Sequence, residues 1–119
     1  MGVDRVFGQY EGQAHAQFVS NIADYGFTIQ EALEAGRFTK GSFDGCDLQI
    51  EALVPDTIRA ELGSRGHELR VVAPRSGAFG YGQAVMSGPG GVHFGASEPR
   101  HDGAAIPEAP PVSLIAQRR

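Results

Sequence analysis

A single cysteine, Cys46, occurs in the sequence, so no disulfide can close within the chain and the redox compartment stays open. Basic clusters are missing as well. The only adjacent basic pair is Arg118-Arg119, and the net charge is −4 with a pI near 5.5. Phosphate backbones are held by clustered Lys and Arg, so nucleic acid is not an expected partner. No apolar run approaches the ~18 residues of a membrane helix, and the opening MGVDRVFG holds no apolar core of signal-peptide length. Val6 stands where N-myristoylation usually requires Ser or Thr. No membrane partner is expected, and the chain as written is expected to stay in the cytoplasm, where it is made.

The common marks of chemistry are absent too. The histidines are His15, His67, His93 and His101, and no pair has a helical or hairpin spacing suited to a metal. No metal and no cofactor is expected. The run Gly77-Ala78-Phe79-Gly80-Tyr81-Gly82 has a passing likeness to a phosphate loop, but it lacks the Lys-Ser/Thr and the strand-to-helix setting. A flexible turn is the plainer reading. No serine sits in a nucleophile-elbow context. Asp44, Asp47 and Glu51 suit a solvated acidic loop better than a cation site.

What remains is ordinary for a folded domain. Apolar residues make up 41% of the 119, too many for a disordered chain. Gly at 17 positions is about twice the usual share and forecasts many turns. Gly12 to Asp24 reads as a first helix, with Ala14, Phe18 and Ile22 recurring at helical spacing and Val19 and Ala23 beside them. Gly26 fits a left-handed cap. Thr28 and Glu31 form a T-x-x-E capping box for a second helix with Ile29, Ala32 and Leu33 inward, closed by Gly36.

Phe38 to Asp47 reads as a loop. Leu48 to Ala52 alternates as a half-buried strand. Pro55 opens a third helix whose inner stripe is Ile58 and Leu62, ended by Gly63 and Gly66. Leu69 to Val72 is a strand stopped by Pro74, with Leu69 and Val71 facing that helix. Gln83 to Ser87 and Val92 to Ala96 form a hairpin around Gly88-Pro89-Gly90-Gly91. Beyond Asp102 the Ala- and Pro-rich tail is expected to be extended and partly disordered. The sum is an α+β fold, three helices with a small, mostly antiparallel sheet.

Three stretches, in order, carry a family resemblance. Asn21-Ile22-Ala23-Asp24-Tyr25-Gly26 followed by Gln30-Glu31-Ala32-Leu33-Glu34-Ala35-Gly36-Arg37-Phe38 is similar to the N-x-x-D-[YF]-G…[QA]-E-A-x-x-A-P-R-F run of γ-glutamyltransferases. Arg65-Gly66-His67-Glu68-Leu69 is similar to their [AR]-[KR]-G-H-x-[VL], and Gly95-Ala96-Ser97-Glu98-Pro99-Arg100 to their G-A-[SA]-D-P-R. The spacing fits, and the resemblance runs from about Gly8 to Pro107. On the residues alone, these stretches read as a helix end, a helix-to-strand turn and a strand exit. Gly36 departs from the family's Pro, which implies a looser exit from the second helix. Cys46 and the tail after Ile106 match nothing in the pattern.

The resemblance implies a part of the N-terminal-nucleophile αββα fold, from the C-terminal portion of the small subunit. Residues 1–106 would form that segment and 107–119 an extended tail. In such enzymes an N-terminal Thr attacks the γ-glutamyl carbonyl of a glutathione-type donor, with its own amine as base. Backbone amides of a Gly-Gly pair hold the oxyanion. Counting back from Asp24 places that pair at Phe7-Gly8, where Gly8 matches and Phe7 departs. Gly8 is therefore a weak oxyanion-hole candidate, and no residue is nominated as catalytic. The nucleophile would lie upstream, making the chain inactive alone and a partner of the missing N-terminal portion. Self-association, most simply as a homodimer, is the other expectation. The alternative is a non-catalytic α+β relic or assembly domain.

Overall fold

The computed structural model describes residues 4–41 and 44–108, with side chains described from residue 13 onward. In chain order come α1 (Asp4–Ala23), α2 (Ile29–Glu34), β1 (Phe38–Thr39), β2 (Asp47–Glu51), α3 (Asp56–Ser64), β3 (Glu68–Val72), β4 (Gln83–Ser87) and β5 (His93–Ser97). Short 3-10 turns at Gly77–Phe79 and Pro89–Gly91 precede β4 and β5. The fold is α+β, and its strands form two sheets. One has the order β1-β2-β3, with β1–β2 antiparallel and β2–β3 parallel; the other is the antiparallel β4–β5 hairpin.

Local chemistry accounts for most of the boundaries. Gly26, at φ 70°, donates its N–H to Ile22 O at 3.2 Å and stops α1. The capping box is present in full: Glu31 N–H donates to Thr28 Oγ1 at 3.2 Å, and Thr28 N–H to Glu31 Oε2 at 2.8 Å. Pro55 stands one residue ahead of α3 and offers its carbonyl to Ile58 and Arg59 N–H. Gly66, at φ 95°, turns α3 into β3, so the Arg65-Gly66-His67 stretch is a helix exit.

The core is small and one-sided. Ile29 and Leu33 of α2 are buried with Ala96 of β5, and Phe18, Ile22 and Ala84 lie against them. Thus α2 joins α1 to the hairpin. The three-stranded sheet buries Ile50, and Phe79 is buried in the loop before β4.

Several expectations are corrected. The first helix begins at Asp4, not Gly12. The stretch from Phe38 onward contains β1, a strand of two residues held by its pairing with Gln49 and Ile50. Helix α3 has no buried residue: Leu62 is half-buried, while Ile58 and Val71 are about half exposed, at 46% and 47%. Its main contact is with the edge strand β3, and one short strand covers too little of its face. At Gly36, a Cβ would stand 2.9 Å from Val54 N and 3.1 Å from Leu53 C. This is a close approach of two backbones, and the exit from α2 is tight.

Candidate functional site

Two arginines and two glutamates from three separate stretches meet beneath the end of α2. Arg100 is the hub, and its side chain is fully buried together with those of Glu51 and Glu98. Its Nε and Nη2 donate to the two carboxylate oxygens of Glu51 at 2.8 and 2.5 Å, the paired geometry that suits a guanidinium. Its Nη1 donates to Glu98 Oε1 at 2.8 Å. Arg37 Nη2 donates to the other oxygen of Glu98 at 2.7 Å. Two positive and two negative charges thus cancel inside the protein, the condition under which burial of charge is tolerated.

The cluster also satisfies backbone groups that would otherwise be orphaned. A helix leaves its last carbonyls without partners. Here Leu33 O accepts from Arg100 at 2.8 Å and from Arg37 at 3.1 Å, and Ala35 O accepts from Arg100 at 3.0 Å. Arg37 Nη1 reaches Phe79 O and Gly80 O, each at 3.2 Å. Glu51 accepts the N–H groups of Arg37 and Ser76 at 2.9 and 3.0 Å, and Glu98 that of Gly82 at 2.8 Å. The glycine-rich run is therefore tied down, in place of the flexible turn read from its composition. A Cβ at Gly82 would fall 2.5 Å from Leu33 Cδ2, so a larger residue there would force the buried Leu33 side chain to move.

Charge state follows from these contacts. Burial alone would push the Glu51 and Glu98 carboxyls up, but the hydrogen bonds and charges of Arg100 and Arg37 outweigh it and hold both below the usual carboxylate range. Burial would likewise lower Arg100, and its two glutamate partners raise it instead. Glu51, Glu98 and Arg100 are therefore ionised at neutral pH.

Glu51 accordingly leaves the acidic loop to which its sequence position assigned it. Asp47 pairs with Lys40 at 3.0 Å, and the same ammonium reaches the carbonyls of Asp44 and Gly45 at 3.0 and 2.9 Å. The four histidines are all exposed and lie on different elements. His101 meets Tyr81 edge-on, with ring centroids 3.6 Å apart. His93 Nδ1 lies 3.1 Å from Ser87 Oγ, an exposed cross-strand contact on the hairpin. Gly8 falls in α1, and its surroundings lie outside the described residues.

Beside Arg37 a cleft of about 600 Å³ opens between α1 and the segments that follow α2. Gln17, Phe18 and Asn21 form one wall; Gln49, Tyr81 and Gln83 stand on the other. Among the described residues its lining contains no carboxylate, serine or cysteine; Thr39 and Tyr81 bring hydroxyls and His15 an imidazole. The cleft can hold a polar group. The arginine–glutamate cluster was missed by sequence reasoning, although Arg37, Glu98 and Arg100 stand in two of the three motif stretches. The available signal was charge inside glycine-rich, apolar turns.

The pattern of the family described as Gamma-glutamyltranspeptidase matches residues 8–108. The chain belongs to that family. The oxamate amidohydrolase proenzyme of Klebsiella pneumoniae is 30% identical over 101 residues, 82% of this chain and 19% of that protein. The glutathione hydrolase proenzyme of Escherichia coli is 35% identical over 85 residues, 71% of this chain and 14% of that protein. A solved cephalosporin acylase from Bacillus halodurans overlays at a TM-score of 0.72 with 39% identity, over 82% of this chain and 18% of that one. The chain thus spans a fifth or less of these relatives. Solved γ-glutamyltranspeptidases share its fold, so the α+β arrangement is part of an N-terminal-nucleophile hydrolase fold.

Proposed function

We propose that the chain is the C-terminal part of a γ-glutamyltransferase small subunit, serving γ-glutamyl transfer or hydrolysis of glutathione-type donors and inactive by itself. The observation that carries this reading is where the motif charges go. Arg37, Glu98 and Arg100 are spent on one another, on Glu51 and on backbone groups; Arg37 also lines the cleft, but its Nη1 and Nη2 are turned to carbonyls and to Glu98. They brace a scaffold. The three threonines have local roles or positions: Thr28 caps α2, Thr39 lies in β1 and Thr57 in the first turn of α3. None of them, in this reading, is the N-terminal nucleophile, which the upstream portion of the enzyme would supply. In this reading residues 1–106 are the enzyme segment, 107–119 its tail, and the Gly8 amide contributes to the oxyanion hole of the assembled site.

The relatives support a scaffold role in another way. Their names set three different molecules before the enzyme: oxamate, glutathione and a cephalosporin. A segment 30–39% identical to each of them is a poor place to discriminate donors. The purified chain, given a γ-glutamyl anilide, is expected to release no amine above a buffer blank. Turnover that survives Gly8→Val would overturn the proposal. A second reading, a non-catalytic relic or assembly domain, draws on the same cluster, because its four charged members all come from this chain.

A further inference from the structure

The outward edge of β5 is occupied by a side chain where a strand would otherwise pair. Ser97 stands opposite Gln83 at the end of the hairpin. Its N–H donates to Gln30 Oε1 at 3.1 Å, and its carbonyl accepts from Gln30 Nε2 at 3.1 Å. One carboxamide thus reproduces the donor and acceptor that a neighbouring strand presents to one residue. The second Nε2 proton goes to Glu34 Oε1 at 2.9 Å, one turn along α2. That bond fixes which way the amide faces, since a flipped amide would set its oxygen against both Glu34 and Ser97 O. The bonds to Ser97 are partly buried, sheltered from competing water.

We propose that Gln30 is an edge plug, which closes β5 to strand addition, the natural addition being a strand from a second copy of this chain. An open edge exposes a row of unpaired N–H and C=O groups and invites such pairing. Backbone groups alternate inward and outward along an antiparallel strand, so the outward positions of β5 are His93, Gly95 and Ser97. Engaging Ser97 leaves only the stretch around His93 and Gly95, too short for a stable ladder.

The test is residue-resolved amide exchange together with light scattering on the full chain, comparing wild type with Gln30→Ala and Gln30→Met. Methionine keeps the length and helix propensity of glutamine without its hydrogen bonds. Loss of both bonds is expected to speed Ser97 amide exchange on the order of tenfold, while Ala32 and Leu33 amides report that α2 is intact. Both variants should associate at lower concentration than wild type, with Gly95 amide protection rising in the associated species. Unchanged Ser97 exchange, or faster exchange with no added association, would overturn the proposal. If both variants unfold, wild type alone decides. A Ser97 amide protected to within about tenfold of ladder-bonded amides supports the plug, and one exchanging as an open amide refutes it.

Discussion

Arg100 has five N–H donors on its guanidinium, and five acceptors meet them: both Glu51 oxygens, Glu98 Oε1, Leu33 O and Ala35 O. Removing it leaves buried Glu51 without a counter-charge, Glu98 with Arg37 alone, and Ala35 O without its donor. Breaking one side of a buried ion pair typically costs about 3–5 kcal/mol, so Arg100→Ala should largely unfold the chain in a urea titration. Arg100→Lys should rescue little, because an ammonium cannot make the paired contact. By contrast, Arg65 pairs with Glu61 at 2.5 Å on the exposed surface, and Arg65→Ala should shift stability by less than ~1 kcal/mol. Similar losses from Arg65→Ala and Arg100→Ala would show that the cluster is not a bracing element.

The same residues predict how stability depends on pH. Glu51 and Glu98 have folded-state pKa values below the ordinary 4.5. A depressed carboxyl contributes stability that is fully present above its unfolded pKa and lost as pH falls through the folded value. The urea midpoint should therefore hold steady down to about pH 5 and then fall steadily below the ordinary carboxylate range. Glu98→Gln should be less stable at neutral pH and show a shallower acid loss. A wild-type midpoint unchanged into the acid range would contradict the ionised cluster.

At the scale of elements, α2 carries the packing and α3 does not. Leu33 is 3% exposed between α1 and the hairpin, and Leu33→Ala should cost about 2–5 kcal/mol. Ile58→Ala, on the half-exposed face of α3, should cost under ~1 kcal/mol by thermal melt. Equal losses would mean that the core lies elsewhere. Gly36→Ala should also destabilise, since its Cβ meets the backbone of Leu53 and Val54, which has no rotamer to yield. The proline of the family's pattern would need the 53–54 turn set further away.

These elements also show what the sequence could and could not disclose. The capping box and the hairpin were legible because a few adjacent residues dictate them. The start of α1 was not, because Gly8 and Gly12 are poor helix formers and the apolar spacing begins only at Ala14. Strand β1 has two residues and exists through its partner, so no period could reveal it. Alternation along Leu48 to Glu51 gave a strand without the direction of its neighbour, and β3 proved parallel. The cluster joins residues 49 and 61 positions apart, a pairing no local pattern encodes.

Across the whole molecule, burial is concentrated around α2 and the end of β2, and much apolar surface lies open. Val19 of α1, Tyr25 beyond it, Val85 and Phe94 of the hairpin and Ile58 of α3 are all exposed. No helix among the described residues is long and apolar enough to cross a membrane, so a bilayer-spanning helix does not account for these faces. Where such residues join into one contiguous face, they mark contact with another protein. With relatives five times longer or more, the preceding part of the enzyme is the proposed cover, and a homodimer its simplest substitute. Light scattering coupled to size exclusion, with a thermal melt on the same low-micromolar sample, tests this dependence on missing sequence most directly. The account predicts an associated species or a broad, weak transition from the isolated chain; a sharp monomer peak with a cooperative melt would contradict it.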